Sequence, residues 1–115
     1  MFLGQAWHDV TLPVPAEGAT AAEALDVSRL QRVVLGPLLG IDDPRTNARI
    51  EFAGGARGTR ALEDRVRSGA AAVAFSMCPV SVSDLMAVSD AGDIMPPKST
   101  WFEPKLRDGL LSHVI

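Results

Sequence analysis

Ala48-Arg49-Ile50-Glu51-Phe52-Ala53, followed by Gly54-Gly55-Ala56-Arg57-Gly58 and then Thr59, decides how the chain is read. Ile50 and Phe52 alternate with Arg49 and Glu51, the period-two pattern of a half-buried strand. A glycine-rich turn follows. Thr59 is placed to cap a short helix carrying Leu62 and Val66, which Gly69 should close. Val73, Phe75 and Met77 then alternate with small residues, as in a second strand that Pro79 ends. Strand, helix and strand in succession favour a layered sheet with helices against it.

Outward from that unit the same reading continues in both directions. Residues 2–12 mix aromatic, aliphatic and β-branched types and read as a first strand that ends at Leu12-Pro13. Residues 13–19 read as loop, with helical character from Thr20 to Ala24. Asp26 is a good N-cap, and Val27, Leu30, Val33, Val34 and Leu38 recur at three and four, the stripe of an amphipathic helix. Gly36-Pro37 should stop or kink that helix, because proline lacks the amide donor and clashes with the preceding turn. Gly40 to Arg45 is turn chemistry, with Asp42-Asp43 a turn pair before Pro44. Ser81-Val82-Ser83-Asp84 matches a capping box, with Asp in place of Glu or Gln. Val82, Leu85, Met86 and Ser89 lie along the helix it opens. Gly92 should close that helix in a left-handed conformation. Leu110 to Ile115 reads as a last strand. The expected order is β-α-β-α-β-α-loop-β, a fold of class α/β or α+β with a mixed sheet and helices packed against it.

The bulk numbers exclude several function classes. The 115 residues are one domain by size, 47% hydrophobic and 22% charged, with a net charge of −3. No basic stripe is visible, so charge argues against a nucleic-acid partner. Cys78 is the only cysteine, so no intrachain disulfide forms. No apolar run approaches the ~20 residues of a membrane-spanning helix, and the start lacks the basic and apolar regions of a signal peptide. The default expectation is a reducing cytoplasm and no membrane partner.

The chemistry-bearing residues concentrate in Asp90-Ala91-Gly92-Asp93-Ile94-Met95-Pro96-Pro97-Lys98-Ser99-Thr100-Trp101-Phe102-Glu103-Pro104-Lys105-Leu106. No helix period or strand alternation runs through Met95 to Lys105. Trp101 and Phe102 argue against a plain connector. Lys98, Ser99 and Thr100 offer one cation and two hydroxyls side by side, which together suit a phosphate or carboxylate. Pro96-Pro97 stiffens the approach and lowers the entropy lost on ordering. The alternative is a loop whose lysine is solvated and whose hydroxyls bond to local backbone. If the loop is a docked site, Trp101 and Phe102 should be largely buried.

Gly54 to Gly58 is a second candidate. Glycines between a strand and a helix let backbone amides approach an anion, and Arg57 could add a forked donor. The loop is neither a P-loop nor a dinucleotide fingerprint, and a tight turn explains it as well. Asp90 and Asp93 bracket a helix end where the macrodipole disfavours carboxylates. That leaves Asp90 for pairing with Lys98 or Lys105, for magnesium beside a phosphate, or for plain solvation. His8 and His113 show no zinc spacing. Cys78 before Pro79 reads as a buried small hydrophobe rather than a nucleophile. No Ser-His-Asp arrangement has supporting context.

Leu25 to Leu30, Ile50 to Gly58 and above all Asp90 to Leu106 resemble the C-terminal part of an uncharacterised bacterial family, the domain of unknown function one thousand and fifteen. The resemblance covers nearly the whole chain. Ser89 stands where the family more usually has alanine. Members are several times longer, and their earlier part carries an Asp-Gly-His-His-Arg motif as in ParB-like proteins, some relatives of which phosphorylate free serine. That motif is absent here. The resemblance therefore implies a C-terminal segment, residues 1–115, whose partner is the missing N-terminal part and which is inactive alone. In the intact protein it would supply an anion-binding loop of Lys98, Ser99, Thr100, Arg57 and Asp90 to a small-metabolite, kinase-like enzyme. A nucleotide and magnesium would be the cofactors and a small molecule the ligand. The alternatives are a non-enzymatic ParB-like binding or regulatory module and a structural docking domain. A segment of that kind should expose an apolar patch that includes Phe2, Trp7, Leu111 or Ile115.

Overall fold

The computed structural model describes residues 1–100, the Ala56 side chain aside. They form a mixed α+β fold in which helices pack against a small antiparallel sheet that does not close into a barrel. The sheet has three two-residue strands, β1 (Phe2–Leu3), β2 (Ala6–Trp7) and β3 (Val73–Ala74), in the order β2-β1-β3. Phe2 pairs with Trp7 on one side and with Ala74 on the other. The single strand expected over residues 2–12 is therefore a hairpin. Gly4 sits at φ +64° in the first position of a two-residue loop, a conformation that glycine reaches without a Cβ penalty. The chain start is tied down at the open end of the hairpin, where the Met1 amine donates to the His8 carbonyl at 2.8 Å and the His8 amide donates back at 2.7 Å.

Helices α1 (Ala21–Ala24) and α2 (Asp26–Leu30) follow the first loop. Thr20 and Glu23 complete a capping box on α1, which accounts for the helical character expected there. Asp26 is not the N-cap of α2. Leu25 takes that place with extended dihedrals and a buried side chain, while Asp26 is the first helical residue and pairs with Arg29 at 2.8 Å. Arg29 also donates to the carbonyls of Leu12 and Pro13 at 2.7–2.9 Å, clamping the loop onto the helix.

Beyond Leu30 the helix widens into a π-helix, α3 (Gln31–Leu35), in which the Gly36 amide donates to the Gln31 carbonyl. This change of register alters the end of the expected stripe, whose Leu30 is buried and whose Val34 packs on the core. Leu30 and Leu35, five residues apart, are both buried, and Leu38 is 73% exposed. The helix breaks at Gly36-Pro37 as the missing proline donor requires. Leu30, Leu35 and Ile41 make the core, with Leu12, Val34, Leu39, Ile50 and Phe75 packed around them.

Ala48 to Ala53 forms no strand: Ala48 and Arg49 lie in a turn, and no ladder pairs the segment among the described residues. Of the alternating pair, Ile50 meets the core while Phe52 is 43% exposed, and Glu51 pairs with Arg65 across the turn. Helix α4 (Gly58–Arg67) starts one residue before Thr59, with Arg57 as N-cap and no side-chain cap bond. Gly69 closes it at φ +76°. It packs on β1 and β3. Trp7 Nε1 donates to Glu63 at 2.9 Å, Glu63 pairs with Arg67, and the Arg67 guanidinium lies 5.3 Å from the centre of the Phe2 ring. Phe2 is only 1% exposed, so it contributes nothing to an apolar patch. Trp7, tilted against Phe2 at 5.2 Å, keeps 38% exposure.

The strand expected over Val73 to Met77 shortens to β3. Ala74 is its buried residue and Met77 is exposed. Helix α5 (Val82–Asp90) opens with the full Ser81–Asp84 capping box. Of the residues along it, Val82, Met86 and Ser89 are exposed and Leu85 is half-buried, while Val88 is 1% exposed, and α1 packs alongside α5. Gly92 follows at φ +70°, the left-handed stop expected of it. No helix among the described residues is long and apolar enough to cross a membrane. The expected last strand, together with Trp101, Phe102, Lys105, Leu111, His113 and Ile115, lies outside the described residues.

Candidate functional site

The helix stop at Gly92 sends the chain into the proline segment. The Asp93 amide donates back to the Val88 carbonyl at 3.0 Å, so the segment leaves α5 in a fixed direction. Pro96-Pro97-Lys98-Ser99 then forms a β-turn, with the Ser99 amide 3.3 Å from the Pro96 carbonyl. Lys98 lies at φ +57°, and no other non-glycine among the described residues has positive φ. Pro97 holds a negative φ at the first central position, so the turn is type II. That turn ordinarily takes glycine or asparagine where Lys98 stands. A lysine there costs about 1 kcal/mol against the preferred regions.

The Ser99 hydroxyl donates to the Pro96 carbonyl at 2.6 Å. It therefore braces the turn, and only its lone pairs remain for a ligand. Lys98 and Thr100 are exposed. Lys98 has no ion-pair partner among the described residues.

Pro96 and Pro97 form a wall between two clefts. The larger, about 510 Å³, lies between Ile94–Pro97 and the Asp42–Arg45 turn. Arg45 closes a two-bond fork on Asp43, at 2.9 and 3.0 Å, and its amide donates to the same carboxylate. These hydrogen bonds hold the Asp43 carboxyl below its ordinary pKa, and the pairing raises that of Arg45. The Asp43 carbonyl also accepts from the amides of Thr46 and Asn47, so the Asp42-Asp43 pair is the turn it was read to be.

The smaller cleft, about 220 Å³, lies on the other side of the prolines. The α2–α3 helix supplies Gln31, Arg32 and Leu35, and Ile50 and Phe52 form the floor. Gln31 Nε2 donates to the carbonyls of Ile41 and Asp42 at 2.6 and 3.2 Å. Gln31 Oε1 is buried without a hydrogen-bond partner among the described residues. Nothing in the composition pointed to Gln31, since only the fold brings a glutamine, an arginine and the prolines around one hollow.

The other expected site residues stand apart from these walls. Arg57 ends a 3₁₀ turn over Gly55–Arg57 and is exposed. Asp90 is the exposed last residue of α5. Neither lines a cleft with the prolines, and no hydrogen bond or ion pair joins Arg57 or Asp90 to Lys98, Ser99 or Thr100 among the described residues. His8 is exposed. Cys78 is exposed too, which corrects its reading as a buried hydrophobe: β3 ends at Ala74, four residues earlier, and leaves it on the surface. No group of three or more His, Cys, Asp or Glu gathers among the described residues. Compared with protein-family models, curated proteins and solved structures, the chain has no match.

Proposed function

We propose that the Pro96–Thr100 turn is an anion-binding loop in a small-metabolite phosphotransferase of the family that the sequence resembles, the domain of unknown function one thousand and fifteen. This chain would be its C-terminal segment. One observation carries the reading: the backbone of Lys98 sits in a left-handed conformation that a lysine adopts only at a cost. Residues held this way cluster at ligand clamps, where a rigid frame fixes a side chain that the ligand needs. Two prolines and the Ser99–Pro96 bonds are that frame.

Lys98 would supply a compact point charge to a phosphoryl oxygen and Thr100 a hydroxyl. Arg57 would join them in the intact protein. In phosphoryl transfer, positioning and charge neutralisation carry most of the catalysis. A magnesium ion shared with substrate phosphates needs only one or two carboxylates from the protein. Asp90, exposed at the end of α5, would supply one such carboxylate.

Titration of the protein with O-phosphoserine, followed through the amide signals of Lys98 and Thr100, tests the loop. Lys98→Ala should weaken binding by roughly 1.5–3 kcal/mol, the range for hydrogen bonds to charged groups. Lys98→Arg should restore part of it, because a planar fork replaces a point charge. Lost stability with unchanged affinity would make Lys98 a structural pin and the loop a docking surface. Membership has its own test, a reading frame upstream of Met1 and in phase with it that encodes the Asp-Gly-His-His-Arg motif.

A further inference from the structure

We propose that the outer edge of β3 pairs antiparallel with the same edge of a second copy of this chain, joining the two small sheets into one. This does not depend on the phosphate reading of Lys98. The first observation is the direction of the backbone groups. Met1 and His8 exchange both hydrogen bonds, the Met1 amine donating at 2.8 Å and the His8 amide at 2.7 Å. In an antiparallel pair such bonded positions alternate with non-bonded ones. Leu3 and Ala6 are therefore the next bonded pair, and Phe2 turns its N–H and C=O away from β2 and towards β3. Phe2 faces Ala74 there, so the backbone groups of Ala74 are used on β1. Those of Val73 and Phe75, one residue to either side, point to the opposite edge.

The second observation is that this edge is open. Among the described elements, β1 and α4 are the ones that pack on β3. Beyond the β1 ladder, no backbone hydrogen bond reaches Val73, Phe75 or Met77 among the described residues. Unpaired groups of this kind are a template for another strand.

The third is that nothing blunts the edge. Sheet edges are ordinarily protected by lysine, an inward charge, a proline or a bulge. No charged residue occurs from Ser68 to Ser83, the longest such run in the chain, and the first proline after β3 is Pro79. The other edge strand, β2, runs almost at once into Asp9. Antiparallel pairing of identical strands has a two-fold axis, so the same residues satisfy both copies and the assembly closes at two. Like charges would meet across that axis, and β3 brings none. Centred on Phe75, the pairing sets Val73 of one copy opposite Met77 of the other and covers the exposed Met77 side chain.

Sedimentation equilibrium of the intact chain over a concentration series, with amide hydrogen exchange on the same samples, tests this. A monomer–dimer equilibrium is expected. In the dimer the amides of Val73 and Phe75 should exchange about tenfold more slowly or better, whereas that of Ala74, already bonded to Phe2, should change less. Met77→Lys places a charge on an exposed position of the edge and should weaken the dimer about tenfold, with the circular dichroism of the monomer unchanged. Met77→Leu should dimerise as the unsubstituted chain does. A monomer at every concentration, species larger than a dimer, or a dimer indifferent to Met77→Lys would overturn the proposal. So would protection of Val73 and Phe75 already in the monomer, which would give the edge to another part of the same chain.

Discussion

Lys98→Gly and Lys98→Ala, measured side by side, separate the cost of the Lys98 backbone from the use of its side chain. At φ +57° both lysine and alanine carry the Cβ clash of the left-handed region, about 1–2 kcal/mol. Glycine removes the clash but raises the conformational entropy of the unfolded chain, which returns about 0.4–1 kcal/mol. Lys98→Gly should therefore be more stable than Lys98→Ala by about 0.5–1 kcal/mol. Lys98→Ala should match the unsubstituted chain, since the exposed lysine has no ion-pair partner among the described residues. Urea denaturation with a shared m-value reads the difference directly. In a thermal scan it corresponds to about 2–4 °C for a chain of this size. If glycine proves no more stable than alanine, the turn carries no strain at Lys98, and the observation behind the anion-binding proposal is lost.

Two further outcomes follow from local geometry. Gly92→Ala should destabilise by about 1 kcal/mol: an added Cβ would meet nothing within 4 Å, so the whole cost comes from φ +70°, and a neutral result would mean that α5 ends differently. Because Arg45 lowers the pKa of the Asp43 carboxyl in the folded state, its contribution to stability is present above the ordinary carboxylate range and is lost as pH falls through the depressed value. Arg45→Gln should return the NMR-observed Asp43 titration towards its ordinary midpoint, and an unmoved midpoint would assign the depression to the turn amides.

The helix stops at Gly69 and Gly92 and the start at Ser81 were legible in the sequence, whereas the starts expected at Asp26 and Thr59 and the lengths and pairing of the strands were not. Ser81 with Asp84, Gly69 and Gly92 act within four residues, so their effect does not depend on the rest of the chain. A strand needs a partner that may come from anywhere. The alternation at Ile50 and Phe52 predicts an extended backbone with one side inward, but Ala48 and Arg49 lie in a turn that the Ile50 amide closes on the Asn47 carbonyl, and Ile50 packs on the core while Phe52 is 43% exposed. Conversely, the true sheet uses residue pairs too short to show a period, with Phe2 between Trp7 and Ala74. The end of the stripe after Asp26 failed at the opposite level. The stripe assumed 3.6 residues per turn, and the π register moved the inward position to Leu35.

The candidate site divides along the same line. Residue type singled out Lys98 because two prolines precede it and hydroxyls follow. Backbone geometry singles out the same residue by a different route, since φ +57° at a lysine is a property that no composition or spacing encodes. The two routes are independent. A solvated lysine in a passive turn would satisfy the first and have no reason to satisfy the second, because glycine or asparagine would serve that turn at lower cost. Gln31 is the reverse case. A lone glutamine on a helix carries no sequence signal, and its meaning arises only when the carbonyls of Ile41 and Asp42 immobilise its nitrogen and leave its oxygen buried. Both residues lie beside the Pro96-Pro97 wall, one following it in the chain and one across the smaller cleft from it. The proline pair is thus the one feature that sequence and fold place at the centre together. A substitution that loosens it, such as Pro97→Ala, should weaken phosphate binding at Lys98, read by the same O-phosphoserine titration. Unchanged affinity in Pro97→Ala would show that the proline pair does not frame Lys98 for a ligand.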